Sequence, residues 1–446
     1  MILLINPKTT KPTEFQSEFL REPNLGILYL AAVLDQNNLD VDILDLEQYL
    51  NLNRTKLEEL ILEKIHNYQI IGITSLTNTF DMVLKLVRLI KDYDNDKYII
   101  LGGPHVSFLY KEILQDEKQV DFICVGESEV SFLNLVKILN KGVNTNKKIQ
   151  YYEPQLKSIK GLAYINSKDK LIFTGYPDPV DLNSIPLPAR YKLEHIHYYY
   201  RVASIIINRG CPNQCSFCSR QALFKDVRIR SIDSILSEIR DIISFQNYNY
   251  INFYDNINID KNFFKRFLQM FIENNIKIPW GCELRIDNIN DADAHLLKLA
   301  GCELVASGIE SASIDVLKKN LKYQNPKGVR EGIIYLKKYQ IPIQAYFVLG
   351  LPGETIETFH KTIDFIKNLP LDENDRIDYF IATPYPGSRL WSEREYFSIN
   401  IIESDFSKYD CQHIIFETAH LDQKILRELF INAKKIELFY QRKNID

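Results

Sequence analysis

The stretch Ala203-Ser-Ile-Ile-Ile-Asn-Arg-Gly-Cys-Pro-Asn-Gln-Cys-Ser-Phe-Cys218 joins a run of apolar, β-branched residues directly to three cysteines. The apolar run predicts a buried strand, and the glycine and proline after it predict a loop. Three thiolates at C-x3-C-x2-C spacing can bind three corners of one cubane iron–sulfur cluster. The fourth iron then has no protein ligand and stays open to a chelating molecule, which favours a reactive cluster over an electron-transfer cluster.

A zinc site and a chance grouping of buried cysteines are the alternatives for this motif. Structural zinc normally takes four ligands, and the nearest further candidates, His195 and His197, precede the strand and would have to fold back. Seven cysteines in 446 residues do not predict a disulfide framework. The other four cysteines are scattered, so we expect them to be small buried hydrophobic residues: Cys124, Cys282, Cys302 and Cys411.

Strands and helices alternate from this stretch to the end of the chain. Six strand–helix repeats predict a partial (β/α)6 barrel of the TIM type, with its chemistry at the carboxyl ends of the strands. The final helix, Gln423–Gln441, predicts a C-terminal helical cap. The six predicted strands are Ala203–Ile207, Tyr250–Tyr254, Ile278–Cys282, Leu304–Gly308, Ile343–Leu349 and Tyr379–Ala382.

An earlier alternating series precedes the barrel and predicts a separate α/β domain. Strands at 1–6, 41–44, 70–74, 98–101 and 122–125, with helices between them, predict a doubly wound, Rossmann-like parallel sheet. Ligands of such sheets bind beyond the carboxyl ends of the strands, where Gly102 and Gly103 lie. We therefore expect a first domain over 1–145, a linker with a hairpin-like start over 146–196, the barrel over 197–400 and the C-terminal region over 401–446.

Composition limits the functional classes. The net charge is −4, with 25% charged and 46% hydrophobic residues, and no segment is strongly basic. This gives no positive case for a nucleic-acid partner. No apolar run reaches the roughly 18–20 residues that a membrane span needs, and no cleavable leader is evident. We expect a cytoplasmic protein.

The cysteine motif on the loop after the first barrel strand, with Phe217 before the last cysteine, resembles that of the radical S-adenosylmethionine (SAM) superfamily. The resemblance implies that Cys211, Cys215 and Cys218 bind a [4Fe–4S] cluster. It also implies that the amino and carboxylate groups of SAM bind the open iron, with Phe217 beside the adenine.

Further segments at strand ends are similar to those of the same superfamily. Asp255, in Phe253-Tyr-Asp-Asn256, falls where the family often has an acidic pair, so the resemblance implies that it contacts SAM, although the second acid is an asparagine here. Glu310 and Ser311 resemble the segment that contacts the ribose and methionine of SAM. Gly350 and Glu354, in Leu349-Gly-Leu-Pro-Gly-Glu-Thr355, resemble the adenine-contact turn. Each segment taken alone is also compatible with simple turn and helix-start chemistry.

Glu283 and Arg285 lie on the same side of a predicted strand end, on either side of Leu284. They are candidates for polar contact with SAM or substrate. The alternative is a salt bridge at the barrel rim.

A doubly wound domain before such a barrel resembles the cobalamin-dependent branch of the superfamily. The segments that carry the likeness are 21–30, 74–76, 102–105 and 125–129. This chain lacks the histidine that ligates cobalt in many cobalamin domains, since the slot reads Arg21-Glu-Pro-Asn-Leu-Gly26. His105 is an alternative ligand, but a hydrogen-bonding histidine is more usual there. The residues that the resemblance assigns to cobalamin are Asn24, Gly26, Thr74, Ser75, Leu76, Gly102, Gly103, Pro104, Gly126 and Glu127.

The resemblance implies reductive cleavage of SAM to a 5′-deoxyadenosyl radical and hydrogen abstraction from a small-molecule or peptide substrate. Cobalamin-mediated methyl transfer to an unactivated carbon would follow, in the biosynthesis of a specialised metabolite or a cofactor. A flavodoxin- or ferredoxin-type protein would supply the electron. One alternative is a radical cyclase, ring-rearranging or oxidising enzyme without methyl transfer. Such an enzyme could contain cobalamin or lack it, in which case the first domain would be a scaffold. The second alternative is a non-enzymatic iron–sulfur or zinc module.

Overall fold

The structure, a computed structural model, describes residues 1–8, 22–145, 152–193, 199–245 and 247–442. The chain divides into two compact units. The first comprises Met1–Tyr200 with Leu223–Asp226, and the second comprises Arg201–Ala222 with Val227–Asp446. His195, His197 and Arg21 lie outside the described residues.

The first unit contains one seven-stranded sheet in the order β2-β1-β3-β4-β5-β6-β7. The first five strands run parallel, and β6 and β7 are antiparallel additions. Every residue of β1 is buried, as a parallel strand covered on both faces should be. The strands are β1 Ile2–Asn6, β2 Val41–Asp45, β3 Ile70–Thr74, β4 Tyr98–Gly102, β5 Phe122–Cys124, β6 Leu162–Ile165 and β7 Leu171–Phe173.

Helices connect the parallel strands, which confirms the doubly wound prediction. The order 2-1-3-4-5 is the flavodoxin-like one, whose switch point lies between β1 and β3. The helices of this unit are Leu25–Gln36, Arg54–Ile65, Phe80–Tyr93, Pro104–Asp116, Glu129–Thr145 and Glu153–Ser158.

Part of the range expected as a linker belongs to this sheet. The hairpin of β6 and β7 pairs with β5 through Ile123–Ala163 and Cys124–Leu162. Because β5 would otherwise be an exposed sheet edge, the hairpin satisfies its backbone groups. The first compact unit therefore extends to Tyr200.

The second unit contains a six-stranded parallel sheet in the order β15-β14-β13-β12-β11-β8. Each strand pairs with its predecessor in the series, as in a (β/α) barrel. No pairing between β8 and β15 occurs in the described part of the chain, so the barrel is partial. The strands are β8 Val202–Ile205, β11 Tyr250–Asn256, β12 Trp280–Glu283, β13 Cys302–Glu310, β14 Ile343–Leu349 and β15 Arg376–Ile381. Two short ribbons pair β9 Asn208–Arg209 with β10 Arg228–Ile229, and β16 Ile399–Ile401 with β17 Phe416–Thr418.

Side chains of β14 alternate between two environments. Ala345 and Phe347 are fully buried, whereas Gln344 and Tyr346 are half-buried. This period of two is expected of a strand with a helix layer on one face and a more open barrel interior on the other.

The barrel helices begin at side chains that accept a backbone N–H bond. The N-cap residues of the six longest helices between β10 and β15 are Ser, Asp, Asn or Thr, the residue types that satisfy otherwise unpaired N–H groups. These six caps are Ser231, Asp260, Asn290, Ser313, Asn325 and Thr355. The α-helices of the second unit are Arg220–Leu223, Ile232–Ser244, Lys261–Glu273, Asp291–Leu299, Ile314–Lys319, Pro326–Lys338, Ile356–Lys367, Arg389–Ser392, Arg394–Phe397 and Gln423–Arg442.

The predicted C-terminal helix is present as Gln423–Arg442 and follows the β16–β17 ribbon. It packs against β15, and its Glu437 side chain accepts a 2.9 Å bond from the backbone N–H of Tyr379. The helix therefore takes the place of the sixth barrel helix, which completes the predicted α/β architecture.

Candidate functional site

The cysteine loop, residues 210–219, leaves the carboxyl end of β8 through the short strand β9. The loop lies in the segment between β9 and β10, and the antiparallel pairing of these two strands brings the ends of that segment together. Gly210 begins the loop at φ 86°, a conformation that favours glycine. Within the loop, the N–H of Cys218 donates to the carbonyl of Cys215 at 3.1 Å, so the last two cysteines lie on one tight turn.

Ser216 anchors this loop to the barrel. It is fully buried, its N–H donates to the carbonyl of Asn320 at 2.9 Å, and its hydroxyl donates to Asn320 Oδ1 at 2.7 Å. Its own carbonyl accepts from the N–H of Leu390 at 2.9 Å. The loop is therefore held by the segments that follow β13 and β15, which fixes where its cysteines lie.

Asp255, at the end of β11, holds the start of the same loop. Its carboxylate accepts from the N–H of Ile207 at 2.6 Å and from that of Asn208 at 3.1 Å. The other oxygen is paired with the Arg220 guanidinium, which also donates to the carbonyl of Asn208 at 2.9 Å. Both oxygens of Asp255 are therefore bonded within the protein, because the strand end places the carboxylate beside the backbone N–H groups of Ile207 and Asn208.

The three thiols of the loop lie near each other and near the ion pair of Glu310 and Lys322. Burial raises the pKa of the Cys215 thiol to about 11; the Lys322 ammonium opposes this, and Cys218, Glu310 and Cys211 add to it. All seven cysteines are free thiols.

This donor set fits a cubane better than a single zinc ion. It consists of three thiols in one loop, and each thiolate that binds a cubane binds a different iron. A structural zinc site takes four ligands, and the motif supplies three. Cys211, Cys215 and Cys218 are therefore residues that could hold a [4Fe–4S] cluster.

Glu310 ends β13 and forms a buried ion pair. Its Oε1 lies 2.6 Å from Lys322 Nζ, which also donates to the carbonyl of Gly308 at 2.6 Å. A Cβ at Gly308 would lie 2.3 Å from Glu310 Oε1, so the glycine is required for this carboxylate to fold over its own strand. Glu310 itself has φ 62°, an uncommon conformation for a residue other than glycine.

Arg285 follows β12 and contacts the cysteine loop. Its guanidinium donates to both carboxylate oxygens of Asp287, at 3.1 and 2.8 Å, and to Asn213 Oδ1 at 3.3 Å. The rim salt bridge considered from the sequence therefore exists, but its acid is Asp287. Glu283 is half-buried at the end of β12.

The turn Gly350–Glu354 is stabilised internally. Glu354 is buried and accepts a 2.6 Å bond from the N–H of Gly350, whose φ is 88°. The next residue, Thr355, caps the helix Ile356–Lys367. This part of the predicted adenine-contact turn therefore also serves as turn and helix-start chemistry.

Two further predicted residues have distinct surroundings. Phe217 is partly buried and packs against an apolar cluster that includes Leu351, after β14, and Ala382, after β15. Ser311 is fully buried, and its hydroxyl accepts from the N–H of Ser313 at 3.1 Å. Phe217 therefore links the cysteine loop to the ends of the last two strands, whereas Ser311 orders the turn after β13.

In the first unit, the predicted cobalamin residues lie at or just after the carboxyl ends of β1, β3, β4 and β5, and those after β1 are beside the switch point of the sheet. Asn24 caps the helix Leu25–Gln36 and donates to Asn6 Oδ1, at the end of β1, at 3.2 Å. Asn6 in turn donates to Asp45 at the end of β2 at 2.8 Å. Gly26 is exposed in the first turn of the helix. Crevices at such switch points are where doubly wound folds bind ligands.

The adjacent ends of β3 and β4 leave room for a bulky group. A Cβ at Gly102 would meet no atom within 4 Å, so the space above this strand end is open. A Cβ at Gly103, whose φ is 98°, would lie 2.6 Å from the carbonyl oxygen of Ser75. Thr74 is half-buried, Ser75 is buried, and Leu76 is 46% exposed. The open position and the exposed apolar side chain fit the approach of a large cofactor.

The remaining members of this set support the same loops. Pro104 begins the helix Pro104–Asp116. The hydroxyl of Ser107 donates to the carbonyl of Gly103 at 2.8 Å and accepts from the N–H of Gly126 at 2.9 Å. Glu127, which follows Gly126 in the sequence, is buried.

His105 belongs to the packed core of the first unit. It is buried, its Nδ1 lies 3.2 Å from Thr77 Oγ1, and its ring centroid lies 4.3 Å from that of Phe80. Burial lowers its pKa to about 4, so it is neutral near pH 7. These contacts are those of a hydrogen-bonded packing histidine.

Sequence reasoning missed several residues that organise the second-unit site. Lys322, Asn320 and Asp287 follow intervening turns or helices, and no local pattern marks them. Asn213 and Arg220 lie in or next to the cysteine loop. Their position in the motif was the one available signal.

Two family models match the chain. The B12 binding domain matches residues 20–136, and the radical SAM superfamily matches residues 205–366. The chain therefore contains a B12-binding domain followed by a radical SAM domain.

Individual relatives extend over most of the chain. An uncharacterized methyltransferase of Pyrococcus horikoshii is 28% identical over 92% of this chain and 87% of its own length. The anaerobic magnesium-protoporphyrin IX monomethyl ester cyclase of Rubrivivax gelatinosus is 27% identical over 93% of this chain and 73% of its own length. The solved structure of the radical SAM methyltransferase TsrM from Kitasatospora setae, with cobalamin and a [4Fe–4S] cluster bound, has a TM-score of 0.74 at 15% identity, over 96% of this chain and 90% of that one. This last likeness supports the two-domain fold.

The two domains imply the cofactors. A radical SAM domain implies a [4Fe–4S] cluster and SAM, and a B12-binding domain implies cobalamin. Among the described helices, none has the length and apolar character needed to cross a membrane.

Proposed function

We propose that this protein is a cobalamin-dependent radical SAM methyltransferase that methylates an unactivated carbon of a small-molecule or peptide substrate. The observation that carries the proposal is the anchored loop with three free thiols at the carboxyl end of β8, in a chain that also has a B12-binding domain. The similarity to the Pyrococcus horikoshii methyltransferase over nearly the whole chain supports methyl transfer as the reaction.

Cys211, Cys215 and Cys218 are the proposed cluster ligands. When bound, the cluster supplies the electron that cleaves SAM to a 5′-deoxyadenosyl radical, and cobalamin supplies the methyl group. The chain keeps the three sulfurs in place through the Ser216 anchor and the Asp255–Arg220 pair. A flavodoxin- or ferredoxin-type donor is the proposed reductant.

The proposed SAM-binding residues divide into two groups by role. The candidates for direct contact lie on the cysteine loop or at the strand ends: Phe217, Glu283, Glu310, Arg285 and Gly350. Glu310 and Arg285 are also ion-paired within the protein, with Lys322 and Asp287. A second group is buried and bonded within the protein, so its members are proposed to position the loops: Asp255, Ser311 and Glu354.

The proposed cobalamin site is the open strand end at Gly102. The loops around it contain Thr74, Ser75 and Leu76 after β3, Gly103 and Pro104 after β4, and Gly126 and Glu127 after β5. The slot of the histidine that ligates cobalt in other cobalamin domains, residues 21–26, contains none. We therefore propose that cobalt receives no ligand from that loop, a state that favours methyl transfer.

Alanine variants of the three loop cysteines test the cluster assignment. After anaerobic reconstitution the wild type should hold about four iron atoms per chain. We expect Cys211→Ala, Cys215→Ala and Cys218→Ala each to lose most of this iron and to form no 5′-deoxyadenosine after reduction. Cys124→Ala, in the first unit, is the matched control and should retain both. Undiminished iron and SAM cleavage in the three variants would contradict the assignment.

A radical cyclase is the second candidate, and the similarity to the Rubrivivax gelatinosus cyclase over 93% of the chain favours it. Product mass separates the two reactions, because each methylation adds about 14 Da whereas cyclisation adds no carbon. A product with no added carbon would contradict methyl transfer and support cyclisation, while the cluster assignment would be unaffected.

A further inference from the structure

The side chain of Asn213 lies between a proposed cluster ligand and a fixed positive charge. Its Nδ2 lies 3.5 Å from Cys211 Sγ, and its Oδ1 lies 3.3 Å from Arg285 Nη1. Asn213 is itself in the cysteine loop, two residues after the first ligand. The amide thus bridges the loop and the end of β12.

Arg285 determines the orientation of this amide. A guanidinium has only donors, so the side-chain oxygen of Asn213 must face it. The amide nitrogen then faces the sulfur of Cys211 and donates to it. The reverse orientation would place two donors against each other and leave the thiolate without a donor.

Other residues hold Arg285 in a single position. Asp287, which is nearly buried, accepts from Nε at 3.1 Å and from Nη2 at 2.8 Å, and the carbonyl of Tyr323 accepts from Nη2 at 2.6 Å. The backbone N–H of Arg285 donates to Asn258 Oδ1 at 2.9 Å. Because these three side-chain bonds and one backbone bond restrain Arg285, the guanidinium keeps its charge on the oxygen side of the Asn213 amide.

We propose that Asn213, polarised by Arg285, donates a hydrogen bond to the Cys211 sulfur and thereby raises the reduction potential of the cluster. This inference depends on the proposed ligation by Cys211. Reduction adds negative charge to the cluster and its sulfurs, so an N–H donor stabilises the reduced state more than the oxidised state. A cation on the amide oxygen strengthens that donor. Asn213 and Arg285 therefore make the first electron transfer easier without binding iron.

The test is an EPR-monitored redox titration of the full-length, anaerobically reconstituted protein without SAM. We expect Asn213→Asp to shift the midpoint potential to more negative values, because a carboxylate replaces the donor. Asn213→Leu should shift it in the same direction by less. Gln214→Glu is the matched control: it adds the same charge at the exposed neighbouring position and should cause a smaller shift.

Arg285 provides an independent variant that leaves Asn213 in place. Arg285→Gln should lower the midpoint potential, whereas Arg285→Lys should keep it close to the wild-type value. Adding Arg285→Gln to Asn213→Leu should lower the potential by less than Arg285→Gln does alone, because Arg285 acts through the amide. Equal shifts in Asn213→Asp and Gln214→Glu, or unchanged potentials in Asn213→Leu and Arg285→Gln, would overturn the inference. Iron content measured on the same samples separates this result from failure of the ligation, which would appear as a full cluster in Cys211→Ala.

Discussion

At the scale of single residues, burial and bonding decide what each predicted site residue can do. Glu354 illustrates this, because its sequence context suits both SAM contact and turn formation. In the structure it is buried against the N–H of Gly350, and burial raises the pKa of its carboxyl from the usual 4.5 to about 8. The protonation of Glu354 therefore affects the stability of the protein, apart from any role of this residue in the reaction.

We expect Glu354→Gln to flatten the pH dependence of stability. The folded state holds the Glu354 proton more tightly than the unfolded state, so its contribution is complete below pH 4.5 and is lost as pH rises to about 8. The wild type should lose up to about 1.4 kcal/mol per pH unit relative to the variant over this window. Glutamine keeps an acceptor for Gly350.

Thermal unfolding of both proteins at about pH 5 and about pH 8 measures this difference. Parallel changes in the two midpoints would show that another group dominates.

At the scale of elements, the carboxyl ends of strands carry the chemistry in both units. The ends of β8, β11, β12 and β13 bring together the cysteine loop, Asp255, Arg285 and Glu310. In the first unit, two adjacent glycines at the end of β4 have different surroundings. Gly103 is required by its φ of 98° and by contact with Ser75, whereas Gly102 has neither constraint. A glycine without an internal steric reason at a strand end is consistent with space kept for a ligand.

Substitutions at these two glycines should separate folding from cobalamin binding. Gly103→Ala should destabilise the protein by about 1–3 kcal/mol, because it combines a strained φ with a 2.6 Å contact. Gly102→Leu should change stability by less than about 0.5 kcal/mol but prevent cobalamin binding. Thermal midpoints and cobalamin absorbance after gel filtration measure the two effects. Normal cobalamin content in Gly102→Leu would place the cofactor elsewhere.

At the scale of the whole molecule, each compact unit has its own sheet and its own buried core. The contacts that anchor the cysteine loop, from Asn320, Leu390 and Asp255, all belong to the second unit. The bonds among the strand-end residues around Gly102 all belong to the first. The two cofactor sites are therefore expected to be assembled independently.

Variants in one unit should accordingly spare the cofactor of the other. Gly102→Leu should still form 5′-deoxyadenosine while losing methylated product, and Cys211→Ala should still bind cobalamin while losing 5′-deoxyadenosine. Both outcomes can be measured on one anaerobic preparation of each variant. Loss of both cofactors in either variant would contradict independent assembly.

Much of the secondary structure could be predicted from local patterns. The strands Ile70–Thr74 and Ile343–Leu349 have the predicted bounds, because a run of apolar residues is a local property. The sheet pairing of the hairpin in 162–173 was not predicted, because an antiparallel addition to a sheet edge depends on a strand about forty residues earlier. The roles of Asp255 and Lys322 were likewise invisible, since their partners are set by the packing of distant segments.

The sequence by itself determined the class of the protein, because the cysteine spacing, the alternating strands and the glycine turns are read from neighbouring residues. Only the tertiary structure decided which polar groups remain for ligands and which are used within the protein. Asp255 and Glu354 are in the second group, and the contact of Asn213 with Arg285 could not be read from its position in the cysteine motif. The physical reason is that a buried polar group must find a partner, and its partner is chosen by the folded neighbourhood rather than by the chain.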